Sequence, residues 1–126
     1  MAAAKPRELS RIRAPRWWCS TALLCGLTSA YAAAKGAVEI LTRYLAKELG
    51  PRRITANVVA PGAIQTDFSG GMVRDNPEVN KMVSAMTALG RPGVPDDVGP
   101  MIAALLSEEN RWVNAQRIEV SGGLSL

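Results

Sequence analysis

Tyr31 and Lys35 are the residues whose types and spacing most directly permit chemistry. They stand four positions apart in Tyr-Ala-Ala-Ala-Lys, about 1.1 turns of a helix, so both side chains project from one face. A lysine ammonium beside a phenol favours the phenolate, whose ordinary pKa is about 10. A tyrosine poised this way gives a proton to a carbonyl oxygen as hydride arrives, or takes one from an alcohol in reverse. The spacing alone equally fits a surface pair on an amphipathic helix. The chain has no histidine, which excludes a Cys₂His₂ zinc site and a His-based triad. Its two cysteines, Cys19 and Cys25, make no disulfide framework and read as small hydrophobes, and no metal site is expected.

The elements that must hold this pair follow from periodicity. Thr28 or Ser29 can cap a helix starting near Ala30. Ala34, Val38, Leu41, Leu45 and Leu49 recur at helical spacing, and Gly50-Pro51 stops the run. Ile54 to Ala60 reads as a buried parallel strand ended by Pro61-Gly62. Ala63 to Asn76, with Gly70-Gly71, reads as a loop. A short helix is expected from Pro77 to about Leu89, with Val79, Met82, Val83 and Met86 on one side. After a loop over Gly90 to Pro95, another helix spans roughly Asp96 to Leu106, with Pro100 close to its tolerant first turn. Ala115 to Val120 is the last strand, stopped by Ser121-Gly122-Gly123. The order gives two parallel strands joined by a helical crossover, an α/β arrangement with about three helices.

The run Y-A-A-A-K-G-A-V-E-I-L-T-R-Y-L-A-K-E-L-G-P-R, followed by N-V-V-A-P-G-A-I-Q-T-D, resembles the short-chain dehydrogenase/reductase family. G-R-P-G-V-P-D-D-V and V-N-A-Q-R-I-E-V-S-G-G are similar to the closing signature of that family. The resemblance covers residues 27–126 and implies the C-terminal half of a Rossmann-type, doubly wound parallel sheet, with residues 1–26 as a basic leader outside it. It implies an NAD(P)-dependent oxidoreductase moving hydride between a nicotinamide cofactor, NAD or NADP, and a carbonyl or alcohol. Tyr31 would be the catalytic acid/base. Lys35 would tune it and hydrogen-bond the nicotinamide ribose. Pro61, Gly62 and Ile64 would lie along the nicotinamide, and Thr66 would bond the cofactor near its carboxamide and pyrophosphate. Phe68 to Leu89 would cover the substrate. Asn57 would be a structural hydrogen-bonder. The Tyr31–Leu49 helix would pack on its copy in a homo-oligomer.

The departures from the family bear on activity. Trp18 stands where the family's catalytic serine is expected, and neither Ser20 nor Thr21 sits in a family-like strand. No G-x-x-x-G-x-G or G-x-G-x-x-G turn follows a strand, so the backbone cradle for a pyrophosphate is missing. At 126 residues the chain is shorter than the roughly 200 that a doubly wound dinucleotide fold needs. The expectation is a truncated, impaired enzyme; the alternative is a non-catalytic remnant that pairs with a related full-length subunit.

Charge narrows the partners. The formal net charge of +4 is carried by the leader, where Lys5, Arg7, Arg11, Arg13 and Arg16 face only Glu8; the remainder is balanced. Such an arm can meet nucleic acid or an anionic membrane, but no stacking or binding motif follows it, so neither partner is expected. No apolar run reaches membrane-spanning length. Trp17 to Leu27 and the Ala30-Tyr31-Ala32 triplet have the outline of an export signal, yet cleavage there would remove Tyr31 and split a coherent helix. A cytoplasmic location is expected.

Overall fold

A computed structural model describes residues 28–126. The leader, Cys19 and Cys25, and the Trp18, Ser20 and Thr21 positions lie outside the described residues.

The chain runs α1 (Thr28–Leu49), β1 (Val58–Pro61), α2 (Met72–Asp75), α3 (Pro77–Met86), α4 (Pro95–Leu105) and β2 (Arg117–Val120), with single 3₁₀ turns at Gly50–Arg52, Phe68–Gly71 and Glu108–Asn110. β1 and β2 are parallel neighbours, in the register Val58↔Arg117 to Pro61↔Val120. This is the α/β fold with a parallel pair and a helical crossover. Because strand side chains alternate, Arg117 and Glu119 share one face of the sheet, and Ile118 and Val120 share the other. Arg117 pairs with Glu39 of α1, so α1 covers the first face.

Both strands start later than expected, β1 at Val58 and not Ile54, β2 at Arg117 and not Ala115, and β1 runs on to include Pro61. Ala115 adopts a left-handed backbone (φ 58°), which breaks the ladder before Arg117. Upstream of the ladder, side chains supplement two backbone bonds, Ala115 N to Ala56 O and Val58 N to Gln116 O, both 2.9 Å. Asn57 Nδ2 donates to Val113 O (2.9 Å), while its Oδ1 accepts from Gln116 N (3.0 Å). Asn114 Oδ1 accepts from Ala56 N at 2.9 Å. Asn57 is thus a structural clamp between the two strand entrances.

Helix boundaries differ from the sequence expectation for local reasons. Asn76 Oδ1 accepts the N–H groups of Glu78 and Val79, capping α3, and Pro77 fills the first position. α3 stops at Met86, short of Leu89, because Thr87 turns extended to bridge Leu124. The expected loop before it holds α2, a fourth helix, entered through Ser69, Gly70 and Gly71, all with positive φ. α4 begins at Pro95, so Pro100 lies in its interior and not near its first turn. A proline there removes one helical bond and crowds the preceding turn.

Among the described residues the core is small: Ala32, Ala46 and Val83 are the buried hydrophobic residues, with Thr42 and Thr87 buried beside them. Both hydroxyls donate back to the carbonyl four residues earlier, Val38 at 2.8 Å and Val83 at 2.7 Å. α1 therefore buries the arc of Ala32, Thr42 and Ala46. The Ala34/Val38/Leu41/Leu45 stripe lies about a third of a turn away at 100° per residue. Val38 is 46% exposed and Leu41 55%. Small residues let α1 approach the sheet closely, and its larger ones point outward.

Candidate functional site

The site forms where the N-terminal part of α1 passes the C-terminal end of β1. One open cavity of about 560 Å³ is lined by Tyr31, Lys35, Pro61, Gly62, Ile64 and Thr66, so all six residues singled out in the sequence share one space. Ends of parallel strands are where open α/β sheets bind ligands, because the chain diverges there and leaves a crevice.

Lys35 Nζ stands 5.3 Å from the centroid of the Tyr31 ring, over its face. That is within reach of the ring quadrupole, so the ammonium is held at the phenol by the aromatic ring as well as by helical spacing. Tyr31 is 40% exposed, open to a ligand in the cavity.

Gly62 is required by packing. Its N–H donates to Val120 O at 3.0 Å, and a Cβ there would meet Ser121 Cα at 2.8 Å. The chain leaving β1 thus lies directly against the chain leaving β2. Beyond it, Ile64 pairs with Gly93 in an isolated parallel bridge made by Gly93 N to Ala63 O and Gln65 N to Gly93 O, both 2.9 Å. This bridge uses the groups on either side of Ile64. Its carbonyl accepts from Thr66 N at 2.9 Å, and its own N–H has no acceptor among the described residues. Thr66 Oγ1 accepts from Phe68 N at 3.3 Å.

Two arginines brace the segments around the cavity. Arg74 donates to Asp67 Oδ1 at 2.6 Å and to Asp75 Oδ1 at 2.7 Å, folding α2 back onto the loop after Thr66. The hydrogen bond from Arg74 holds the Asp75 carboxyl below its usual range. Arg91 grips both oxygens of Asp97, at 2.6 and 2.8 Å. Asp97 Oδ2 also accepts the Val94 N–H at 2.8 Å, capping α4. Arg91 first, and the Val94 N–H second, hold the Asp97 carboxyl well below the ordinary carboxylate range.

The sequence did not single out Val98 and Ile102, which line the same cavity from α4. Their i, i+4 spacing marks a helix face, but nothing local says which element that face meets. Phe68 and Val73, from the expected substrate-covering segment, complete the apolar wall. Among the described residues no cluster of His, Cys, Asp or Glu could hold a metal ion, and no helix is long and apolar enough to cross a membrane.

Residues 20–125 match the family model described as enoyl-(acyl carrier protein) reductase. The chain belongs to the short-chain dehydrogenase/reductase family. It is 45% identical over 96 residues to an NADPH-dependent aldehyde reductase-like protein of Arabidopsis thaliana, covering 75% of this chain and 34% of that protein. Its fold matches the promiscuous reductase LugOII, which catalyses keto-reduction at C1 during lugdunomycin biosynthesis. That match has a TM-score of 0.70 and 39% identity, over 77% of this chain and 37% of the other. A 3-oxoacyl-[acyl-carrier protein] reductase from Brucella melitensis with bound NAD gives a TM-score of 0.65 at 38% identity, over 76% and 33% of the two chains. The chain spans between 34% and 48% of the length of the first curated relatives it matches.

Proposed function

We propose that the chain carries the catalytic half of an NAD(P)-dependent oxidoreductase acting on a carbonyl or alcohol, with little turnover from this chain alone. The observation that carries this reading is the single cavity shared by Tyr31, Lys35, Pro61, Gly62, Ile64 and Thr66. Its premise is that the family match and the names of the relatives describe oxidoreductases. Residues 27–126 form this half and residues 1–26 a leader outside it, although the family match begins slightly earlier, at residue 20.

The residues present suit the nicotinamide end of such a cofactor. The open Ile64 N–H would donate to its carboxamide, Pro61-Gly62 would offer a flat side-chain-poor wall, and Lys35 would hydrogen-bond the ribose. The chain supplies no glycine-rich turn for the pyrophosphate. The cofactor, NAD or NADP, supplies or accepts hydride when bound. Tyr31 Oη then gives its proton to the substrate oxygen in reduction, or takes it in oxidation, and the Lys35 ammonium favours the charged phenol that reduction leaves behind. Phe68, Val73, Val98 and Ile102 exclude water from one side. The protein acts in the cytoplasm, without nucleic acid or membrane as a partner.

A second reading, a non-catalytic subunit that pairs with a copy of itself or with a related full-length chain, is favoured by the outward arc of α1. Val38, Leu41 and Tyr44 are about half exposed or more. Such a stripe favours association.

The test is turnover. Joined to the nucleotide-binding half of a relative, the chain should oxidise NADH or NADPH in the presence of a simple ketone or aldehyde. A well-folded fusion that binds cofactor and shows no hydride transfer to any of a panel of carbonyls would overturn the catalytic reading in favour of the second.

A further inference from the structure

A second cavity, of about 180 Å³, lies between α1 and the sheet on the far side of Tyr31 and Lys35. Its lining includes Val38, Glu39, Arg117 and Glu119. Two cations and two carboxylates therefore share one space with the phenol. Lys35 and Glu39 come from α1, Arg117 and Glu119 from β2, and β1 brings no charge. Arg117 Nε donates to Glu39 Oε1 at 2.7 Å, and its guanidinium reaches Glu119 at 3.1 Å. The Arg117 and Glu39 side chains are only 20% and 22% exposed, so water and salt screen them little.

Lys35 and Glu39 stand at i and i+4 on α1, the spacing at which opposite charges on a helix ordinarily pair. Among the described residues no ion pair joins them. Lys35 Nζ sits over the Tyr31 ring and Glu39 goes to Arg117.

We propose that Arg117 is a positioning residue: it withholds Glu39 from Lys35 and so leaves the ammonium for Tyr31. The functional consequence rests on the reading of Tyr31 and Lys35 given above; the partition of charges does not. The four charges in the cavity sum to zero. A planar, weakly hydrated guanidinium competes better than an ammonium for a carboxylate with little access to water. Remove the Arg117 charge, and Lys35 becomes the one cation facing two carboxylates, the nearer of them one turn below it. Lys35 then swings down to Glu39, away from the phenol.

The reactivity of Lys35 reads this directly in the full chain, with no cofactor. An ion-paired ammonium releases its proton reluctantly and acylates slowly. The measurement is the mass-spectrometric rate of labelling of Lys35 by an amine-reactive ester, with the exposed Lys47 and Lys81 as internal standards. Arg117→Met should slow Lys35 severalfold against both standards. Adding Glu39→Gln to Arg117→Met should restore the parental rate, Arg117→Lys, an ammonium with no advantage over Lys35, should slow it partly, and Glu39→Gln alone should leave it unchanged. A variant that merely loosens the fold speeds Lys35 and does not slow it. The proposal is overturned if Arg117→Met leaves the Lys35 rate unchanged or raises it, or if Glu39→Gln alone accelerates labelling. Should Arg117→Met not fold, Arg117→Lys still decides the matter, because a parental Lys35 rate in that variant overturns the proposal. Failure of the catalytic reading would leave this labelling pattern intact, so the two failures are distinguishable.

Discussion

Lys35 Nζ lies 5.3 Å from the centre of the Tyr31 ring, over its face. Tyr31→Phe keeps that ring and removes only the transferable proton. In a fusion with a relative's nucleotide-binding half, it should lower kcat by on the order of 10² to 10⁴ and leave cofactor Kd nearly unchanged. On the proposed function Lys35 serves both the phenol and the ribose, so Lys35→Met should lower kcat and cofactor affinity together. Turnover and nicotinamide-fluorescence titration on each variant separate the two roles. Near-parental turnover in Tyr31→Phe would reduce the pair to a helix-surface contact.

The isolated chain should bind NADH or NADPH poorly. On the proposed function its cavity would receive only the nicotinamide end, while the sequence contains no glycine turn at which a helix N-terminus meets a pyrophosphate. Titration followed by nicotinamide fluorescence should give no saturation at low micromolar cofactor. Saturation there would mean that another part of the chain replaces the phosphate cradle.

Gly62 and Gly36 should respond oppositely to alanine. At Gly62 a Cβ meets the Ser121 backbone at 2.8 Å, so the segments leaving β1 and β2 must separate; overpacking of this kind costs about 1–3 kcal/mol. At Gly36, inside α1, nothing lies within 4 Å, and alanine should stabilise by about 0.5–1 kcal/mol through the helix backbone. Urea unfolding of both variants checks the contrast. An equal effect at the two positions would show that the β1–β2 junction is not packed as described.

Association should depend on the outer arc of α1. Leu41 is 55% exposed and Tyr44 63%, and the buried core is small. The chain should therefore form oligomers, and Leu41→Lys should shift it towards monomer in light scattering without loss of helical circular dichroism. An unchanged mass would move the interface elsewhere.

What could be read from the sequence was local. Tyr31 and Lys35 share a face because four residues make about one turn, whatever surrounds them. Pro61-Gly62 marks a strand end because proline brings no N–H to a ladder and glycine weakens one, although Pro61 itself still pairs with Val120. The order of the longer elements was legible from period and from glycine and proline stops. The buried face of α1 was not: the largest hydrophobes define a stripe, yet the sheet is approached through Ala32, Thr42 and Ala46. Burial depends on which side the strands lie, and that is set by contacts distant in sequence. The same holds for Glu39, whose partner Arg117 is separated from it by 78 positions. α2 escaped notice because its entry rests on Ser69, a non-glycine residue with φ of 54° that no propensity rule anticipates. The strand ends were misjudged for a similar reason, the left-handed Ala115.

Acid should loosen the chain through Asp97. Arg91 holds its carboxyl well below the ordinary value of 3.8, with the Val94 N–H contributing. A carboxyl whose folded pKa is depressed binds fewer protons folded than unfolded in the acid range. Its contribution is therefore complete above the unfolded value, near pH 4 and upward, and is lost as pH falls below it towards the folded value. The pair is exposed, so the effect is modest and should shrink at high salt. Asp97→Asn leaves an amide oxygen able to accept the Val94 N–H but no charge for Arg91. Urea midpoints measured from pH 7 down to pH 2 should thus be lower for Asp97→Asn at neutral pH, and the gap to the parent should stay constant to about pH 4 and narrow only below it. Asp75, held down by Arg74, should keep some acid sensitivity in both proteins. Parallel curves, with a constant gap at every pH, would mean that Asp97 stabilises α4 only as a cap and that its charge does not matter.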